Sequence, residues 1–282
     1  MAAADLIVSL GKAIDFTIGF GASEKMAPAH GWIVVDAEPA AVARARRNLG
    51  NAVAAIVEAD PKAMAAALAE HAMPARDDWQ AATASRLGCR AAAAETKGIS
   101  PADLSNAIQA RLGAAKRSIV LGDGGEFGQW AQSILRSDAR IINGPAGAIG
   151  ACLPYAVAAR HAAPDALIYV ILGDGTVGFH LAEFETAVRE GTAFVAVVGN
   201  DGRWNAEHQI QLRDFGPDRL IGCELTQARY DLVVAGLGGH GEHVTDVADL
   251  DAALARAEAS GLPACVNVEI EGLAAPSGVG QH

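Results

Sequence analysis

The chain has 282 residues, 51% of them hydrophobic and 20% charged, which places it among folded globular proteins and excludes a disordered one. Its 22 basic and 33 acidic residues leave a net charge of −11, which favours solubility and argues against nucleic acid or an anionic membrane as the main partner. An anionic ligand is still compatible, because helix N-termini and a bound metal ion hold phosphate locally.

The opening MAAADLIVSLGKAIDF carries no basic flank before its apolar stretch, so it reads as a strand and not as a signal peptide. No apolar run approaches the roughly 20 residues of a membrane span. Residues 5–11 and 31–39 are buried-strand candidates, and 40–50 is a helix ended by Gly50. Residues 51–61 form a third strand and 62–73 a helix. Alternation of this kind predicts a parallel sheet covered by helices. Residues 74–98 are polar and Ala-rich and suit a connecting helix, with a domain boundary near Gly98.

The alternation then restarts. Ser100 and Pro101 give the cap-then-proline start of a helix over 99–113, and 118–125 is a strand running into a glycine turn. A helix over 147–164, a strand over 166–175, a helix over 181–191 and a strand over 193–201 follow. Residues 229–239, 249–261 and 263–272 complete a helix–helix–strand ending. The predicted fold class is α/β, with two parallel-sheet layers in series. Cys89, Cys152, Cys223 and Cys265 form no Cys-x-x-Cys pair and read as reduced, mostly buried thiols of a cytoplasmic protein.

Chemistry concentrates where one predicted strand stops. In VILGDGTVGF, residues 170–179, Asp174 stands between Gly173 and Gly175 at the C-terminal end of a strand, where ligands bind in open α/β sheets. A second strand ends in Asn200 and Asp201, 27 positions beyond Asp174, about one strand–helix–strand unit. Neighbouring strands would bring both carboxylates to one edge. Asp174, Asp201 and a turn carbonyl near Arg203 then suit Mg²⁺, which takes one or two carboxylates together with phosphate and water. Gly173 and Gly175 would let a diphosphate approach the backbone, and the helix over 181–191 could aim its N-terminus at it. Gly-Asp-Gly by itself reads more readily as a plain turn, and it is the spacing and the strand context that favour the metal reading.

Residues 173–201, a Gly-Asp-Gly, 24 residues and then Asn-Asp, resemble the metal and diphosphate motif of thiamine-diphosphate enzymes. The longer run GPAGAIGACLPYAVAARHAAPDALIYVILGDG…VAVVGND resembles the diphosphate-binding domain of their acetolactate synthase and 2-hydroxyacyl-CoA lyase (oxalyl-CoA decarboxylase-like) branch. Residues 5–61 are similar to the second half of that family's central, Rossmann-like domain. The resemblance implies a partial central domain over 1–73, a linker helix over 74–98 and a thiamine-diphosphate-binding domain over 99–282. It implies thiamine diphosphate and Mg²⁺ as cofactors, with Asp174, Asp201 and the Arg203 backbone oxygen as metal ligands.

Asp201 stands where the family usually has asparagine. Ile149 matches the apolar residue that wedges the cofactor into its bent shape, and Gly147 the carbonyl that accepts from its amino group. Thr176 would hydrogen-bond the diphosphate beside Gly175. Glu126 and Phe127 stand where synthases tend to carry Gln and His, which points towards the acyl-CoA lyase-like branch. The implied reaction makes or breaks a carbon–carbon bond next to a carbonyl, on a 2-keto acid or a 2-hydroxyacyl-CoA.

In that family the activating glutamate lies on a pyrimidine-binding domain not found in these 282 residues. Glu183 and Glu185 fall on the helix after the metal motif, so no catalytic residue is assigned. The expectation is a component that needs a separate pyrimidine-binding subunit and self-associates as a homo- or hetero-oligomer. The alternative is a non-catalytic cofactor-binding partner or remnant.

Other residues are weaker candidates. Glu207 and His208 follow the metal turn, in a stretch that reads either as pocket lining or as a solvated loop. His240 and His243 have a spacing that metal sites use but no third ligand nearby, and they read as a surface turn. Residues 34–39, VVDAEP, end a strand in acid as dinucleotide folds do, yet no Gly-x-Gly-x-x-Gly precedes them. Arg44, Arg46 and Arg47 read as a solvated face that an ADP group could touch if a CoA substrate binds.

Overall fold

The computed structural model describes residues 4–22, 31–71, 76–88, 96–143 and 147–276. They divide into two compact units, Met1–Thr83 and Ala84–His282.

The first unit runs β1 (Leu6–Leu10), β2 (Gly31–Val35), α1 (Pro39–Leu49), β3 (Val53–Val57) and α2 (Pro61–Glu70), followed by α3 (Asp77–Gly88), within which the division falls. Its three strands pair in parallel in the order β1-β2-β3. Proline in the first turn starts both α1 and α2, and the Asp60 carboxylate caps α2 by accepting from the Ala63 N–H at 2.8 Å. Trp32 and Val34 of β2 alternate onto one face and pack against Ala45 and Leu49 of α1.

The second unit opens with α4 (Pro101–Ala114), whose Ser100 and Asp103 form a capping box. It continues through β4 (Ser118–Gly122), α5 (Gly125–Ile134), β5 (Ala139–Ile142), α6 (Cys152–Ala162), β6 (Leu167–Gly173), α7 (Asp174–Val177) and α8 (Glu183–Glu190). β7 (Val195–Asn200), α9 (Asn205–Phe215), α10 (Tyr230–Gly236), β8 (His240–Val244), α11 (Leu250–Ala259) and β9 (Ala264–Glu269) complete it.

Six strands form one all-parallel sheet in the order β5-β4-β6-β7-β9-β8. Central strands of such a sheet are buried on both faces, and β6 shows why the run LIYVILG is almost wholly apolar. Tyr169 and Ile171 join a core with Ile108 of α4, Phe127 of α5 and Leu254 of α11. Ile168, Val170 and Leu172 join the opposite core with Leu153 of α6, Phe184 of α8 and Val234 of α10.

Several elements depart from the sequence expectations. α5, β5, α9 and β8 are additional, so the C-terminal part runs helix–strand–helix–strand. The stretch read as a possible solvated loop over 202–216 is largely helix α9, and the turn expected around His240 and His243 is edge strand β8. The helix expected over 181–191 is α8, and a separate helical turn, α7, stands next to Gly173. No helix of the described residues is long and apolar enough to cross a membrane. Cys152, Cys223 and Cys265 are buried free thiols, while Cys89 lies outside the described residues.

Candidate cofactor and metal site

β6 ends at Gly173 and passes directly into the single turn α7 at Asp174. β7 lies beside it in parallel, with Gly173 opposite Gly199, and ends at Asn200. Asp174 and Asp201 therefore leave the same edge of adjacent strands, at the carboxyl ends where open sheets bind ligands.

Asp174 is 3% exposed. Its Oδ1 accepts from the Gly175 N–H at 3.1 Å and its Oδ2 from the Arg203 N–H at 3.0 Å. The second bond ties the Gly-Asp-Gly turn to the Asn-Asp turn across 29 residues of sequence. Burial pushes the Asp174 carboxyl up to about 6 against the pull of these backbone N–H groups. Asp201 is pushed up to about 7, by burial first and by the Asp174 charge second, with the Arg203 guanidinium and the Asn205 side chain opposing. Two carboxyl groups are thus held near each other, Asp174 buried and Asp201 half-buried.

The remaining predicted residues sit around this pair in distinct ways. The Thr176 hydroxyl donates to the Gly173 carbonyl and accepts from the Gly173 N–H, both at 3.1 Å, so it fastens the turn. Nothing approaches the place where a Cβ on Gly173 would stand, whereas at Gly175 that place meets the Trp204 ring at 2.6 Å. Glu126 lines the same cleft as Asp174, and burial and the Glu207 charge both raise its carboxyl. Ile149 packs over Gly124, and the Gly147 carbonyl accepts from the Asn143 side-chain amide at 3.4 Å.

Phe127 is 4% exposed and belongs to the core, its ring closing on Gly199 of β7 at the floor of the cleft. A Cβ on Gly199 would meet the Phe127 ring at 2.5 Å and Ile270 at 2.8 Å. Gly199→Ala overpacks this contact and lowers stability by about 1–3 kcal/mol, read as a lower urea midpoint. An unchanged midpoint would show that the ring moves aside freely.

Sequence reasoning passed over several residues here. Gly122-Asp123-Gly124 repeats the Gly-Asp-Gly tripeptide at the end of β4, the one local signal available. Asp123 is fully buried, and its carboxylate accepts from the Gly124 and Gly150 N–H groups, both at 2.8 Å, which ties the β4–α5 turn to the segment carrying Ile149. Trp204 and Phe179 meet edge-to-face at 6.2 Å beside Gly175. His208 sits on α9, 8% exposed, with its Nδ1 lacking a partner. His240 and His243 are engaged elsewhere, with Glu242 at 2.8 Å and Glu269 at 3.0 Å.

The donor chemistry fits a magnesium ion. Each Asp174 oxygen keeps a lone pair beyond its backbone bond, Asp201 adds a second carboxylate, and a divalent cation relieves their mutual repulsion. Among the described residues no group of three or more His, Cys, Asp or Glu side chains converges. Gly125 and Gly173 have nothing within 4 Å of the place a Cβ would take, and they leave backbone open along the cleft for an anionic group.

The family described as "Thiamine pyrophosphate enzyme, C-terminal TPP binding domain" matches residues 123–268, just over half of the chain. The chain belongs to that family of thiamine pyrophosphate (TPP) enzymes. The matched range takes in every strand of the second sheet from β5 to β8 and both turns of the carboxylate pair. This TPP-enzyme chain is 41% identical over 155 residues to a probable acetolactate synthase of Mycobacterium bovis, covering 54% of the chain and 28% of the relative. It is 36% identical over 127 residues to 2-hydroxyacyl-CoA lyase 2 of Xenopus laevis, covering 44% of the chain and 19% of the relative.

Each alignment thus spans well under a third of those relatives' length. A solved structure of the thiamine diphosphate-dependent 4-hydroxybenzoylformate decarboxylase of Rhodococcus jostii RHA1 superposes with a TM-score of 0.74 at 18% identity. That superposition covers 95% of this chain and 49% of the decarboxylase, and at this identity it speaks for the fold alone.

Proposed function

We propose that the chain is the thiamine-diphosphate- and Mg²⁺-binding component of a carbon–carbon lyase or carboligase acting on 2-keto acids or 2-hydroxyacyl-CoA, active together with a pyrimidine-binding domain. The observation that carries this reading is the Arg203-to-Asp174 bond, which joins two otherwise separate turns into one dicarboxylate edge. When bound, thiamine diphosphate supplies a carbon centre that attacks a carbonyl and stores the resulting electron pair.

This chain's own residues bind and orient. Asp174, Asp201 and the Arg203 carbonyl hold the metal, and the backbone at Gly173 and Gly175 receives the diphosphate. Thr176 keeps the turn closed through Gly173, and its hydroxyl could reach the diphosphate only by giving up one of those bonds. Ile149 and Gly147 hold the far part of the cofactor, with Glu126 lining the cleft beside it and Phe127 forming the cleft floor from the core. Trp204, packed on Gly175 and capped by Phe179, keeps water from the metal turn.

No glutamate beside the cleft is assigned the activating role, which the proposal gives to the partner domain. The test is reconstitution. Mixing the chain with a separately expressed pyrimidine-binding domain, Mg²⁺ and thiamine diphosphate is expected to yield turnover of pyruvate or of a 2-hydroxyacyl-CoA that neither piece shows alone. Cofactor binding without any turnover in the mixture would favour the non-catalytic alternative.

A further inference from the structure

Next to the two carboxylate-bearing turns, a polar cluster gathers at the start of α10, with Asn200, Asn267 and Asp231 buried and Arg229 exposed. The Tyr230 hydroxyl donates to the Asp174 backbone carbonyl at 2.9 Å. Two residues earlier, the Ala228 carbonyl accepts from the side-chain amides of Asn200 at 3.1 Å and Asn267 at 3.0 Å. Asn200, 1% exposed, in turn accepts from the Gly202 N–H at 3.3 Å, inside the turn that carries Asp201 and Arg203. Gly202 has φ +68°, so this turn depends on a conformation that side chains resist.

One four-residue stretch therefore holds both turns. It is itself fixed to the sheet. Asn267 of β9, also 1% exposed, accepts from the Asn200 amide at 3.2 Å and donates to the Asp231 carboxylate at 3.4 Å. Arg229 closes on the same carboxylate with two bonds, at 2.9 and 2.6 Å. A packed apolar residue could fill the place of Asn267 without the cost of burying an amide. Here the amide is kept, and its bonds go to Asn200 at the end of β7, to the Ala228 carbonyl and to the Asp231 carboxylate. None of Asn200, Ala228, Arg229, Tyr230, Asp231 and Asn267 lines the cleft.

We infer that residues 228–231, locked by Asn267, form a brace that sets the spacing and orientation of Asp174 and the 200–203 turn, with Tyr230 and Asn267 as positioning residues for the metal ligands. The inference rests on the metal reading above. Tyr230 acts on the Asp174 side and Asn267 on the Asp201 side, so each can be loosened by itself. Partners that orient metal ligands typically change metal affinity by about 10–100-fold when removed.

The test uses the full chain with Mn²⁺ and thiamine diphosphate, the bound ion being followed by electron paramagnetic resonance. Wild type is expected to bind Mn²⁺ and Asp174→Asn to lose it. Tyr230→Phe is expected to weaken Mn²⁺ by about tenfold or more, and to broaden the bound-ion spectrum at saturation. A purely structural role for the hydroxyl would not alter that spectrum. Tyr155→Phe, at an exposed tyrosine on α6, is expected to match wild type in both readouts.

Should Tyr230→Phe fail to fold, Asn267→Ala tests the same brace from the other side, with the same weakening expected. A folded Tyr230→Phe or Asn267→Ala with wild-type affinity and spectrum overturns the brace while leaving the metal reading intact. A wild-type chain that takes up no Mn²⁺, or an Asp174→Asn that takes up as much, overturns the metal reading and the brace with it.

Discussion

Asp174→Asn is expected to abolish Mg²⁺-dependent retention of thiamine diphosphate while leaving the chain folded. The substitution keeps the size of the side chain and an oxygen that can still accept the Arg203 N–H, now at 3.0 Å from Asp174 Oδ2. What it removes is the charge. Its amide NH₂ faces one backbone N–H where a carboxylate oxygen stood, a cost of about 1–2 kcal/mol, set against relief from burying a carboxylate that burial already pushes up to about 6. Stability therefore changes little. Metal affinity drops far more, because a directly coordinating carboxylate outweighs the roughly 10–100-fold effect of an outer partner. Equilibrium dialysis with thiamine diphosphate, with and without Mg²⁺, measures the loss. Full retention in the variant would place the metal elsewhere.

Asp201→Asn is expected to raise the stability of the metal-free chain at alkaline pH and leave it unchanged in acid. The folded protein holds the Asp201 carboxyl at about 7 and that of Asp174 at about 6, both above the ordinary carboxylate value, with burial the first cause in each. The folded state thus binds protons that the unfolded chain gives up. Stability from this pair is fully present below a pH of about 4 and declines as pH rises through 7.

Asparagine at 201 removes the larger part of that decline. At pH 8 the metal-free variant should exceed wild type by roughly 1–2 kcal/mol, a figure already reduced for the water that reaches this half-buried group. Below about pH 4 the two should melt together, since wild-type Asp201 is then protonated in both the folded and the unfolded chain. Excess Mg²⁺ should narrow the gap at pH 8, because the cation offsets the repulsion in wild type. A gap that is the same below about pH 4 and at pH 8 would show that the Asp201 charge is not the cause.

The carboxylate edge was legible in the sequence because its signals are local. An apolar run stopping at Gly173-Asp174-Gly175 and a second stopping at Asn200-Asp201 mark two parallel strands, and their spacing makes them neighbours. The strands that escaped notice lie at the edges of the sheet. All four residues of β5 are exposed, and β8 reads His-Gly-Glu-His-Val, so neither shows the apolar run of a central strand. α9 was obscure for a related reason. Its buried residues are Asn205 and His208, which give no apolar stripe to read.

Long-range partners left no trace at all. Tyr230 meets Asp174 across 56 residues and Asn267 meets Asn200 across 67, and neither spacing has a sequence signature. Phe127 shows the opposite limit. Its position in the chain suggested a place beside the cofactor, but only the structure shows its ring committed to the core against Gly199.

We propose that the Asp174–Asp201 edge holds thiamine diphosphate through a divalent cation. Calorimetric titration of thiamine diphosphate into the full chain in excess Mg²⁺, repeated with EDTA and with thiamine lacking its diphosphate, tests it most directly. Saturable binding is expected with Mg²⁺ and none in either control. Binding that persists in EDTA, or no binding under any of the three conditions, would contradict it.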